Sequence, residues 1–123
     1  MIPKFRAFIK KENKIRNVTT IDFTLEIIEC LNGVLEYEFE YVVLMQSTGL
    51  KDKNGVEIFE GDLVEHDDNI NGTWETFEAC EIVYDVDYAQ FCFKNDASNF
   101  LSYYRNLCII GNIHENPELL EDK

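Results

Sequence analysis

Short alternations of apolar and polar residues, each closed by a turn signal, recur from one end of this chain to the other. They constrain its fold more than any other feature. Phe5, Ala7 and Ile9 share one face of a period-two run, and Lys11-Glu12-Asn13-Lys14 then reads as a turn. Ile21, Phe23, Leu25 and Ile27 alternate with Asp22, Thr24 and Glu26, which predicts a half-buried strand over 21–27. Leu35, Tyr37, Phe39 and Tyr41 alternate with Glu36, Glu38 and Glu40, and this pattern runs on into Val42-Val43-Leu44-Met45. Asn32-Gly33 between these two runs predicts a hairpin turn, and Asn54-Gly55 predicts another site of positive φ. Gly61-Asp62 precedes the apolar pair Leu63-Val64, while segments 81–84, 90–93 and 107–110 supply further short strands. So many short strands with regular punctuation predict a small β-barrel or sandwich.

One helix is expected. In Asn116-Pro117-Glu118 the first residue suits an N-cap, proline suits the first helical position, and the glutamate favours the positive end of the helix dipole. Segment 98–106 fits either helix or irregular chain. At 123 residues the sequence is sized for one domain, taken as 1–123, with nine Phe and six Tyr to fill its core.

Charge narrows the function classes. The chain has 24 acidic residues against 11 basic ones, a formal net charge of −13. Residues 1–16 hold six basic groups and one acid, a local +5, which leaves −18 for the remainder. No Lys or Arg occurs between Asn54 and Phe93, where eleven acids lie. Such a balance disfavours free-standing nucleic-acid binding, which needs cations to displace the counterions of phosphates. No apolar run approaches the roughly 18 residues of a membrane span. No secretory signal is visible either, so a reducing cytoplasmic setting is expected. The acidic stretch reads as a solvated face, or as a docking surface for a basic partner or a second copy of the chain.

Residues able to carry chemistry are present but scattered. Cys30, Cys80, Cys92 and Cys108 lack metal-ligand spacing and are expected to act as small buried hydrophobes. Asp67-Asp68-Asn69-Ile70-Asn71-Gly72-Thr73-Trp74-Glu75-Thr76-Phe77-Glu78 fits the spacing of a calcium loop, with Asp67, Asn69, Asn71 and Glu78 as ligands. Its flanks read as strands where such a loop needs helices, so a polar β-hairpin is the favoured reading and no metal or cofactor is expected. Ser47, Ser98 and Ser102 are nucleophiles by type, and His66 and His114 are bases by type, with no Gly-x-Ser-x-Gly elbow to join them. The Tyr37, Phe39, Tyr41 ladder reads as core packing or as a ligand platform, and Tyr103-Tyr104-Arg105 as a contact surface.

Three blocks carry a family resemblance. They are Ile2-Pro3-Lys4-Phe5-Arg6-Ala7-Phe8, the long stretch 44–64 centred on Gly49-Leu50-Lys51-Asp52-Lys53-Asn54-Gly55, and Ile109-Ile110-Gly111-Asn112-Ile113-His114-Glu115-Asn116-Pro117-Glu118-Leu119-Leu120. Together they resemble the YopX family of phage and prophage proteins. Phe8 stands where that family usually has Trp, and Ser47 where it often has an aromatic. The resemblance implies a mainly β fold, a small SH3-like barrel with additional N-terminal strands, and a phage or prophage origin in a bacterial cell. It implies no activity, and the calcium-like loop lies outside the shared blocks. Phe5, Ala7, Ile58, Phe59, Leu63, Val64, Ile110 and Ile113 are the expected core of those blocks.

These readings favour a non-enzymatic interaction module that self-associates. Two alternatives remain: an acidic decoy for a basic, nucleic-acid-binding host protein, and a metal-assisted hydrolase using Glu65, Asp67 and Glu78. Nucleic-acid binding through the basic first hairpin alone would require its cations to face away from the acids.

Overall fold

A computed structural model describes residues 4–70, 72–94, 96–100 and 106–120, with only the backbone path described for 68–70 and 96–100. The chain is mainly β, and its strands form two antiparallel sheets. It divides into two compact units, Met1–Ser47 and Thr48–Lys123.

The first unit is a meander. Strands β1 (Phe5–Ile9), β2 (Lys14–Asp22), β3 (Ile27–Cys30) and β4 (Leu35–Glu38) pair in succession, and β5 (Val42–Lys51) returns to lie antiparallel beside β1. The strand order is therefore β4-β3-β2-β1-β5. Its core is Ala7, Ile9, Ile28, Cys30 and Val42, with Leu35, Tyr37, Phe39 and Leu44 packed against them. In β1, Ala7 and Ile9 are buried and Arg6 and Phe8 half-buried, whereas Lys10, Lys11 and Lys14 at the hairpin tip are exposed.

Two of the expected strands are interrupted. Residues 21–27 do not form one strand: β2 ends at Asp22 and β3 begins at Ile27. The Asp22 carboxylate accepts the backbone N–H groups of Thr24 and Leu25, both at 2.9 Å, which reverses the chain there. Phe23 and Leu25 consequently stand 76% and 66% exposed on a turn. The run from Leu35 into Met45 is broken in the same way by a 3₁₀ turn over Phe39–Tyr41, which separates β4 from β5. Asn32-Gly33 makes the expected hairpin turn between β3 and β4, with φ of 54° and 95°.

The second unit receives the end of β5, where β6 (Glu57–Phe59) is its neighbour. Its sheet has the order β10-β9-β8-β7-β11, built from β7 (Asp62–Ile70), β8 (Thr73–Asp85), β9 (Gln90–Phe93), β10 (Asp96–Phe100) and β11 (Cys108–Asn112). Ile58, Val64, Ile82, Phe93 and Leu107 form the core. Of the residues expected in the core, Ala7, Ile58, Leu63 and Val64 are fully buried, while Phe5, Phe59, Ile110 and Ile113 are half-buried. Among the described residues neither sheet closes into a barrel. Part of 98–106 lies in β10, and residues 101–105 fall outside the description.

Side-chain oxygens hold the reversals of this unit. Asp52, 7% exposed, accepts the N–H of Asn54 and of Val56 on one oxygen and that of Ile109 on the other. Burial alone would raise its pKa, but those three backbone donors outweigh it and hold the carboxyl below the ordinary range. Asp62, fully buried, accepts the Phe59 N–H at 2.8 Å across the Gly61 turn. Asn112 accepts the N–H groups of His114 and Glu115, and Asn116 accepts that of Asn112. The expected C-terminal helix reduces to a four-residue 3₁₀ turn, Pro117–Leu120, because the Leu119 N–H bonds back only three residues, to the Asn116 carbonyl.

These contacts set the expected outcome of three substitutions. A Cβ at Gly111 would lie 2.5 Å from Asn116 Oδ1 and 3.0 Å from its Cβ, whereas a Cβ at Gly55 (φ +83°) meets open space. Gly111→Ala should therefore lose about 2–3 kcal/mol by overpacking, and Gly55→Ala about 1–2 kcal/mol by backbone strain alone, measured by urea unfolding. Asp52→Asn should lose about 2–3 kcal/mol at pH 7, since an amide accepts on one oxygen only. Because the native carboxyl has a lowered pKa, its contribution is complete above the ordinary carboxylate pKa and fades as pH falls through the lower folded value. The gap between wild type and Asp52→Asn should narrow over that acidic window, and a gap independent of pH would contradict the assignment.

Candidate functional site

The first unit carries a groove with a cavity volume of about 480 Å³. Ile9, at the end of β1, forms its floor, and Lys11 and Glu12 enter from the β1–β2 turn. Glu36, Tyr37 and Glu38 line it from β4, and Tyr41 from the 3₁₀ turn that follows. Beside the groove, Asn13 takes φ 55° in the first turn, and the Lys10 N–H bonds the Tyr41 carbonyl at 3.2 Å. Lys10 Nζ also donates to the Glu40 carbonyl at 3.1 Å, tying the 3₁₀ turn to the end of β1.

One polar network fixes the wall. Tyr37 donates its hydroxyl proton to Glu12 Oε2 at 2.5 Å, and Arg16 Nε donates to Glu12 Oε1 at 2.8 Å. The tyrosine hydroxyl, followed by the guanidinium, holds the Glu12 carboxyl below its ordinary pKa. Reciprocally, the Glu12 bond pushes the Tyr37 phenol up and the Arg16 guanidinium up. The acid of the basic first hairpin is thus consumed internally. Glu36 and Glu38, which alternate with Tyr37 along β4, are exposed, and Tyr41 stands 54% exposed.

The residues singled out from sequence fall elsewhere. His66 is buried between two rings, with Phe77 at 5.1 Å and Phe93 at 5.0 Å, so it serves the core of the second unit. His114 lies in the Asn112 turn. Ser47 is buried and donates its N–H to the Lys4 carbonyl. The calcium-like segment is a β-hairpin: Asp67 pairs with Thr76, Asn69 with Trp74 and Ile70 with Thr73. Asp67 accepts the Thr76 hydroxyl at 2.7 Å, and Glu78 sits exposed in a bulge opposite Glu65, where Ala79 takes φ 52°. Asn71 lies outside the described residues, as do Ser102 and the Tyr103-Tyr104-Arg105 stretch; the Ser98 side chain is also outside the description. Among the described residues no three His, Cys, Asp or Glu side chains group as a metal ion would require.

Cys30 and Cys92 are buried, Cys80 and Cys108 half-buried, all four as free thiols, and burial pushes the Cys30 thiol up. Of the aromatic ladder, Tyr37 and Phe39 pack on the core while Tyr41 faces the groove. The pairing of Glu12 with Tyr37 joins residues 25 positions apart, and no local pattern announces it.

Removing the Tyr37 hydroxyl should release Glu12. In Tyr37→Phe the Glu12 carboxyl is expected to titrate at higher pH than in the wild type, read from its side-chain carboxyl carbon by NMR. An unchanged titration would contradict the network.

Comparison with known proteins agrees with the blocks noted in the sequence. The family model described as "YopX protein" matches residues 4–121, spanning both units. Among solved structures, the protein EF1440 from Enterococcus faecalis is similar over 98% of this chain and 99% of its own, with 33% sequence identity and a TM-score of 0.71. The comparison with curated proteins gives no match. No helix among the described residues is long and apolar enough to cross a membrane. With a match that runs through all three of its sequence blocks, the chain belongs to the YopX family.

Proposed function

We propose that this protein is a non-enzymatic protein-interaction module that associates with copies of itself. The observation that carries this reading is how charge divides between the units. Met1–Ser47 holds six basic and seven acidic residues, net −1, whereas Thr48–Lys123 holds five and seventeen, net −12. Within the nearly neutral unit, Lys10, Lys11 and Lys14 lie exposed on one hairpin tip, and Arg16 is already engaged by Glu12. A cationic ribbon on one unit and an acidic surface on the other supply complementary faces for reciprocal or head-to-tail contact between chains. The short antiparallel strands of the second unit also support reading it as an open SH3-like arrangement, with the strands of the first unit as its N-terminal addition. The setting we infer is the cytoplasm of a bacterium carrying a phage or prophage.

A second reading rests on the β7–β8 hairpin. There Asp67, Glu75 and Glu78 are exposed beside Trp74, which is 66% exposed. An acidic ribbon with a large aromatic on it suits a decoy for a basic, nucleic-acid-binding host protein, captured from lysate and released by moderate salt.

Light scattering across a salt series tests the first reading. Association is expected near 0.02 M salt and should weaken toward about 0.5 M as the screening length shortens several-fold. Lys10→Glu combined with Lys11→Glu and Lys14→Glu should leave a monomer. A strict monomer for the wild type at every salt and protein concentration would overturn self-association.

A further inference from the structure

We propose that the outer part of the β7–β8 hairpin is the acceptor face for self-association, and that its occupant is the lysine tip of the β1–β2 hairpin of a second copy. A lysine ammonium of that tip would sit on the Trp74 ring and pair with Asp67. This deepens the interaction-module reading and rests on it.

The hairpin outruns its sheet. β11 reaches β7 only as far as Glu65, and β9 reaches β8 only from Ile82 onward. Beyond those points, among the described residues, the two strands pair with each other, from His66 opposite Phe77 to Ile70 opposite Thr73. Opposed residues share a face, so alternation sorts the side chains. Phe77 and Glu75 lie on the face of His66, whose ring stacks on Phe77 and on Phe93 of the core. Trp74 and Thr76, with Asp67 opposite Thr76, lie on the other face. Glu78 follows Thr76 at period two, at the bulge. Trp74, Thr76, Glu78 and Asp67 are all exposed, Trp74 by 66%.

The chemistry of that outer face selects a cation. Tryptophan is the best aromatic partner for an ammonium group, and Asp67 is the diagonal neighbour of Trp74 across the ladder, about 7–8 Å away. Asp67 Oδ1 accepts the Thr76 hydroxyl at 2.7 Å, and a carboxylate retains further acceptor capacity. No Lys or Arg lies between Asn54 and Phe93, and Lys94, the next base, is directed to Glu81 at 3.7 Å. The hairpin therefore brings no cation of its own to this face. A second copy does. Lys11 and Lys14 are exposed at the β1–β2 tip, and Glu12 between them is engaged by Tyr37 and Arg16. Every chain thus carries both the acidic aromatic face and its complement.

Trp74 is the sole tryptophan, so its emission reports the contact directly. The test uses the full chain, with light scattering and tryptophan emission read on the same samples across protein concentration at low salt. Mass is expected to rise with concentration while the emission shifts to shorter wavelength. Trp74→Ala should weaken association about tenfold, and Asp67→Lys combined with Glu78→Lys should leave a monomer. Lys11→Glu combined with Lys14→Glu should also leave a monomer, and mixing these two charge-reversed chains should restore association. Glu75→Gln, on the opposite face of the same hairpin, should leave it unchanged. All these residues are exposed, and circular dichroism checks that each variant is folded. Association that persists in the Trp74→Ala chain and in the Asp67→Lys, Glu78→Lys chain sinks the hairpin face alone and leaves self-association standing. A mixture that stays monomeric overturns the pairing of these two faces. A wild type that is monomeric at every concentration overturns both ideas, and a shift in that monomer's emission on adding an arginine-rich peptide makes the occupant a basic partner instead.

Discussion

A short polar side chain accepting backbone N–H groups is the interaction on which the rest of this structure depends. Asp22 ends β2, Asp52 gathers three amides from two segments, Asp62 clasps the turn before its own strand, and Asp85 holds the β8–β9 turn through Asp87 and Tyr88. Asn112 and Asn116 do the same at the chain's last reversal. A chain of short strands must reverse often, and each reversal strands amides that no ladder can satisfy. Carboxylates are the strongest acceptors available for them.

This divides the acidic residues into two populations. Asp52 and Asp62 are buried parts of the scaffold, and their charge is spent on amides. Glu36, Glu38, Glu75 and Glu78 are exposed and hold no such post. The net charge of −13 therefore overstates the surface signal, and what matters for recognition is the exposed remainder on each unit. The family blocks read the same way: Asp52 with Gly55, Gly61 with Asp62, and Gly111 with Asn112 and Asn116 are backbone devices, so belonging to the family locates a scaffold more than an activity.

Much of the fold was legible in the sequence. Asn32-Gly33 and Asn54-Gly55 announced their turns because left-handed φ leaves few other choices. The first hairpin followed from alternation, and the short runs at 90–93 and 107–110 fall on β9 and β11, the latter shifted to Cys108–Asn112. Alternation also misled, at Phe23 and Leu25, where apolar residues happen to keep period two across a turn made by Asp22. Phe39 and Tyr41 hid a 3₁₀ turn by the same coincidence. The signal that was present, an Asp two and three residues before amides needing a partner, is weaker than a hydrophobic pattern and is easily overruled by it. The groove was less legible still, because Glu12, Tyr37 and Tyr41 meet only through sheet pairing.

Amide hydrogen exchange, resolved by residue at neutral pH, tests the dependence on side-chain clamps most directly. The amides of Thr24, Asn54, Val56, Asp87, His114 and Glu115 lie outside the strands, yet each donates to an Asp or Asn side chain. They are expected to exchange well below the rate of an unstructured chain, with Val56, held by the buried Asp52, among the slowest. Exchange of these amides at unstructured rates, with the strand amides still protected, would contradict the account.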